Sequence, residues 1–150
     1  MSAAAPAITP AASRGADELP APVSGQRHEI GSSVGRLTYY SATPETPGEF
    51  PPLLLVHSIN AAGSAYEIKP LYEHYRGSRT VYALELPGFG HSERGKREYT
   101  VRMMTDAILI AIREIQNDHG RGPVDALAVS LSSEFLRSEE RRVGKECRSR

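Results

Sequence analysis

The stretch Thr80-Val81-Tyr82-Ala83-Leu84-Glu85-Leu86-Pro87-Gly88-Phe89-Gly90-His91-Ser92 decides the fold, because seven residues rich in β-formers run directly into a turn with glycines at 88 and 90. On its N-terminal side, Ser64 and Glu67 have the form of a capping box, and Ile68, Leu71, Tyr72 and Tyr75 follow at i, i+3, i+4, i+7. Pro70 leaves two forms open: a helix that begins near Lys69 with the proline in its first turn, or a separate, kinked first turn. Further back, Leu53 to Val56 is a continuous apolar run of the kind a strand buried on both faces shows. On the C-terminal side, Thr100 caps a longer helix with the stripe Met104, Ile108, Ala111, Ile115, and Gly120 stands where a terminal glycine belongs. Val124 to Val129 is a further buried-type strand. Strand, helix, strand, helix, strand defines an α/β fold with parallel strands, right-handed crossovers and helices on both faces of the sheet.

Ahead of this core, Arg27 to Ile30 and Arg36 to Ser41 form an opening antiparallel pair joined by small residues, and the proline-rich segment from Ser41 to Pro52 is a loop. Residues 1–25 hold eight alanines and four prolines without periodicity, a composition that does not offset its own ordering entropy, so they are expected to be a disordered leader. Pro6 and Pro10 interrupt every candidate apolar core and the first basic residue is Arg14, which argues against a secretory signal.

At 150 residues, with 39% apolar and 24% charged residues, the chain has the size and balance of one globular domain. No apolar run approaches the roughly 20 residues of a membrane span, so a cytoplasmic protein without a membrane segment is expected. The 18 basic and 18 acidic residues cancel, but residues 137–150 carry six of the first and three of the second. Residues 1–136 thus have 12 basic against 15 acidic residues, a net −3, and no nucleic-acid partner is expected. Cys147, the single cysteine, lies in that same tail, so residues 1–136 hold neither a disulfide framework nor a cysteine metal site. Arg137 to Arg150 resembles the in-frame translation of a common sequencing adapter and is read as non-native; a solvated basic tail or nucleic-acid arm is the alternative.

In an open α/β sheet, catalytic groups collect at the carboxyl ends of the strands. Those ends read His57-Ser58-Ile59-Asn60, Glu85 to Ser92, and Ala128-Val129-Ser130-Leu131-Ser132-Ser133. Together they resemble the α/β-hydrolase fold family, whose segments read His-Gly-x-x, Asp-x-x-Gly-x-Gly-x-Ser and Gly-x-Ser-x-Gly. The departures are Ser58 for glycine, Glu85 for aspartate, and Ala128 and Ser132 for the two elbow glycines. The resemblance covers about residues 26–136 and implies the N-terminal part of an α/β-hydrolase fold, cut after the nucleophile-elbow strand, with strands in the order first, second, fourth, third, fifth.

By the same resemblance, Ser130 is the nucleophile, and the backbone N–H groups of Ile59 and Leu131 form the oxyanion hole. His57 corresponds to a structural histidine at its strand end. Asn60 is a loop asparagine or a side-chain donor to substrate. In family order the base and the acid follow the nucleophile, and nothing read as native follows Leu136. His28, His74, His91 and His119 precede Ser130 and are not expected to act as its base. The implied intact protein is a serine-dependent, esterase-like hydrolase acting on small carboxylic esters or related acyl substrates through an acyl-enzyme, with no metal or cofactor; its oligomeric state is open. The alternative is a non-catalytic binding or scaffold protein of the same fold. A Rossmann-type nucleotide site is disfavoured, since Gly88-Phe89-Gly90 lacks the third glycine and no helix follows at once.

The adapter reading is tested by resequencing the locus past codon 136. The native gene is expected to continue without the tail, and a clean amplicon encoding Arg137 to Arg150 followed by a stop contradicts it.

Overall fold

The computed structural model describes residues 19–46 and 48–138. Its five strands are β1 (Gln26–Ile30), β2 (Leu37–Ala42), β3 (Leu53–Val56), β4 (Val81–Glu85) and β5 (Asp125–Ala128), and its helices are α1 (Lys69–Tyr75), α2 (Val101–Asp118) and a last one over residues 132–138. They form one sheet in the order β1-β2-β4-β3-β5. β1 pairs β2 and β2 pairs β4 antiparallel, whereas β3 runs parallel to both β4 and β5. This is the strand order expected from the sequence.

Strand periodicity sorts the core into two layers, because successive side chains of a strand point to opposite faces. Leu54, Val56, Tyr82 and Leu84 join Tyr39 on one face, beneath Met104, Ala107, Ile108, Ala111 and Ile115 of α2 and Phe135 of the last helix. Leu53, Leu55, Val81 and Ala83 point the other way, onto Ala65, Ile68 and Tyr72. All four residues of β3 and all five of β4 are buried, as strands covered on both faces require.

Both forms left open by Pro70 coexist. A 3-10 turn over Ala65–Ile68 leads into α1, with the proline in the first turn of α1 where its missing N–H costs no intrahelical bond. The Ser64 hydroxyl accepts from the Tyr66 amide at 3.2 Å, but the expected return bond from Glu67 is not made. The Glu67 carboxylate turns to Ser58 instead. Thr100 caps α2 as expected, its hydroxyl accepting from the Met103 amide at 3.1 Å.

Two further expectations change. Residues 1–18 of the expected disordered leader lie outside the described residues, but residues 19–25 pack on the domain. Val23 is buried with Tyr72 and Ile68, and the Ser24 hydroxyl donates to Glu73 at 2.8 Å. One apolar residue among prolines has no periodicity to reveal it. β5 is also shorter than the expected strand: Val124 lies before it, and Val129 adds a single ladder bond beyond it. Of the expected non-native tail, residues 139–150 lie outside the described residues. No helix among the described residues is long and apolar enough to cross a membrane.

β5 pairs only with β3 among the described residues, so its outer edge offers unpaired backbone groups beside partly buried Ala126, Leu127 and Val129. An uncovered apolar edge is a template for aggregation. Expressed as the 150 residues alone, the chain is expected in the insoluble fraction or bound to a hydrophobic dye. A soluble monomer that melts cooperatively contradicts this.

Candidate active site

β3 and β5 are neighbours, with Val56 opposite Ala128 in the parallel register. Ile59 and Leu131 each lie three residues beyond that pair, so their loops leave the same end of the sheet from strands roughly 4.8 Å apart. The Val129 amide extends the ladder by one bond to the Val56 carbonyl at 3.1 Å. Ser130 comes next, and it adopts φ +55°. That left-handed conformation costs a residue with a Cβ about 1–2 kcal/mol. Immediately after it the chain is helical over residues 132–138, closed by amide bonds from Ser132 to the Val129 carbonyl and from Ser133 to the Ser130 carbonyl. The other non-glycine residue with positive φ among the described residues, Arg121, occupies the exposed turn after α2. A strained serine between a parallel strand and a helix has the form of a nucleophile elbow.

Ser130 is exposed, and its hydroxyl makes no hydrogen bond among the described residues. The amides of Ile59 and Leu131 likewise donate to no acceptor there. Ser132, two residues on, is the opposite case. It is fully buried, and its hydroxyl donates to the His57 carbonyl at 2.6 Å, which removes it as an alternative nucleophile.

His57 ties the three strand ends together. Its Nδ1 donates to the Ser58 carbonyl at 2.7 Å and its Nε2 accepts from the Leu86 amide at 3.1 Å. With the Ser132 bond to its carbonyl, one buried residue links the ends of β3, β4 and β5. Phe89 covers the imidazole at a centroid distance of 5.2 Å. Both ring nitrogens are occupied, so His57 has neither a free lone pair nor access to Ser130, and its structural reading stands.

Where the chain departs from the glycines and aspartate of the motif it resembles, the polar replacements Ser58, Glu85 and Ser132 are each bonded. The buried Ser58 amide donates to Glu67 at 2.8 Å, and its hydroxyl donates to the same carboxylate at 2.7 Å and accepts from the Asn60 side-chain amide at 2.7 Å. Asn60 in turn accepts from the Ala62 amide at 2.9 Å, so it fastens its own loop. Glu85 is fully buried, and its carboxylate accepts from the amides of His91 at 2.6 Å and Ala65 at 3.3 Å. A Cβ on Gly90, at φ +51°, would overlap that carboxylate, so the glycine is required for the longer acid to fit. Ser92 closes the turn, donating to the Glu85 carbonyl at 2.5 Å and accepting from the Thr38 amide of β2 at 2.8 Å.

The remaining histidines are engaged away from the elbow. His91 bonds Tyr40 at 2.8 Å and the Leu19 carbonyl at 2.7 Å, His119 bonds Tyr82 at 2.8 Å, and His28 bonds Ser41 at 2.8 Å. His74 packs edge-on to Tyr75. Among the described residues no group of three or more His, Cys, Asp or Glu side chains could hold a metal ion.

No protein-family model and no curated protein sequence matches the chain. Solved structures do. A serine hydrolase involved in carbazole degradation superposes with a TM-score of 0.61 at 18% identity, over 75% of this chain and 41% of its own. An N-acyl homoserine lactonase gives 0.60 at 25% identity, over 78% and 41%. An epoxide hydrolase from Acinetobacter nosocomialis gives 0.57 at 21%, over 71% and 31%. The chain has the α/β-hydrolase fold, and it spans less than half the length of each of these proteins.

His57 also makes the site sensitive to pH. Burial pushes its imidazole below the ordinary 6.5, outweighing the Ser58 carbonyl and the charges of Glu85 and Glu67, which act in the opposite sense. Protonating Nε2 would set it against the Leu86 donor. A folded value below the unfolded one means that this contribution to stability is complete above the unfolded value and is lost as pH falls through it toward the folded value. In the folded protein, the fall in melting temperature between about pH 7 and pH 5 should be smaller in His57→Gln, whose amide keeps a donor and an acceptor without titrating. Identical pH dependence in both proteins contradicts this.

Proposed function

We propose that residues 26–136 are the nucleophile-bearing part of a serine hydrolase that cleaves carboxylic esters or related acyl substrates. The observation that carries this reading is the left-handed backbone of Ser130 at the strand-to-helix turn, with the Ile59 and Leu131 amides donating to no acceptor among the described residues. Strain of this kind persists only where the surroundings over-determine it, and it clusters at reacting residues.

In the reaction, the Ser130 oxygen forms a bond to the substrate carbonyl carbon while a general base takes its proton. The carbonyl oxygen becomes an oxyanion, held by the Ile59 and Leu131 amides. Collapse expels the alcohol, which receives the proton from the base, and water then cleaves the acyl-serine by the same route. None of the described histidines is assigned as the base; base and orienting carboxylate are assigned to the protein beyond Leu136.

The identity of the nucleophile favours acyl substrates over epoxides, although one solved neighbour is an epoxide hydrolase. Serine opening an epoxide would leave an ether, which water does not readily cleave, whereas an acyl-serine is an ester and turns over. In the product of the complete gene, a fluorophosphonate probe should label Ser130, and Ser130→Ala should abolish labelling. Labelling that persists in the variant refutes the assignment.

A further inference from the structure

Two consecutive peptide groups join the elbow to the Ile59 amide, and side chains fix both. In a planar trans peptide the C=O and the following N–H point to opposite sides. The peptide between His57 and Ser58 is bonded on each side: its carbonyl accepts from the Ser132 hydroxyl at 2.6 Å, and its N–H donates to a Glu67 carboxylate oxygen at 2.8 Å. Ser132 stands two residues after Ser130, in the helix that follows the elbow, so this peptide is tied to the nucleophile's own turn. The next peptide, between Ser58 and Ile59, has its carbonyl held by His57 Nδ1 at 2.7 Å. Gly63 passes so close to that oxygen that a Cβ there would lie 2.8 Å from it. The N–H on the opposite side of this second peptide is the Ile59 amide, which donates to no acceptor among the described residues.

Glu67 is the outermost member of this series of bonds. It lies on the 3-10 turn over Ala65–Ile68, whose buried ends, Ala65 and Ile68, anchor it in the core. Besides the Ser58 amide it receives the Ser58 hydroxyl, at 2.7 and 2.8 Å from its two oxygens, and that hydroxyl accepts from the Asn60 side-chain amide at 2.7 Å. Ser58 is only 5% exposed, so without the carboxylate its N–H and hydroxyl would be left buried and unpaired, and the loop would turn to satisfy them. We propose that Glu67 is a positioning residue of the oxyanion hole: acting through Ser58, its carboxylate sets the peptide whose N–H, at Ile59, receives the developing oxyanion. This rests on the hydrolase reading above and deepens it. Glu67 is itself exposed, so replacing it opens no cavity in the core, and its effect on the loop is separable from folding.

The test compares the folded wild type with Glu67→Ala and Glu67→Gln on 4-nitrophenyl butyrate. Active sites are counted by fluorophosphonate titration carried to completion, so that misfolded protein does not enter kcat. In Glu67→Ala, kcat and kcat/KM are expected to fall together by about tenfold or more, a part of what deleting an oxyanion donor costs, with KM unchanged. Affinity for an alkyl trifluoromethyl ketone, whose adduct with serine carries an oxyanion, should weaken by a similar factor. Glu67→Gln, which keeps a carbonyl acceptor for the Ser58 amide, should recover part of both losses. A merely structural role would lower the melting temperature and leave kcat per titrated site and ketone affinity as they are. That outcome, or a loss of kcat without loss of ketone affinity, overturns the proposal and leaves the hydrolase reading standing. A wild type whose Ser130 neither takes up the fluorophosphonate nor hydrolyses the ester sinks that reading, and this proposal with it.

Discussion

The structure depends on one buried imidazole. His57 donates to the loop that follows it, accepts from the backbone after β4, and offers its carbonyl to the helix after β5. Each bond contributes about 0.5–1.5 kcal/mol net, and losing one leaves a buried partner unsatisfied at about 1–3 kcal/mol. The greater consequence is positional. Parallel strands fix the directions of their loops only as far as the last ladder bond, and His57 carries that order two to four residues past the strand ends, where Ile59, Phe89 and Ser130 lie.

This explains how the chain accommodates serines at two positions where the motif it resembles has glycine. At an ordinary elbow, glycine avoids a Cβ clash. Ser132 instead converts the contact into a bond, its hydroxyl anchored on His57 while the neighbouring Ser130 bears the backbone strain. Ser58 does the same for the other loop, held by both oxygens of Glu67. Glu85, one methylene longer than aspartate, reaches the His91 amide because Gly90 leaves room. The replacements are mutually consistent: every added polar atom at these three positions has a partner, as buried polar groups require.

Much of this was legible in the residues. The apolar run of β3 and the 4, 3, 4 stripe of α2 are signals of burial, and burial is what they show. The elbow was legible as an order of segments. Its strain was not, because a φ value is imposed by the strand and helix on either side rather than encoded in Ser130. Partnerships across the fold were equally hidden: Glu67 reads as a cap from its spacing to Ser64, yet a carboxylate prefers the buried amide and hydroxyl of Ser58 to an exposed turn. Val23 carries no local signal for the same reason, since its burial depends on Tyr72 and Ile68, far along the chain.

We propose that His57 holds the loops of β3 and β5 so that a strained Ser130 faces the amides of Ile59 and Leu131. A crystal structure of the protein after reaction with a fluorophosphonate tests it directly. The account predicts phosphorus bonded to the Ser130 oxygen, with a non-bridging oxygen within about 3.1 Å of both the Ile59 and Leu131 nitrogens, as an oxyanion hole demands. An adduct on another residue, or a phosphoryl oxygen turned to solvent with those amides unengaged, would contradict it.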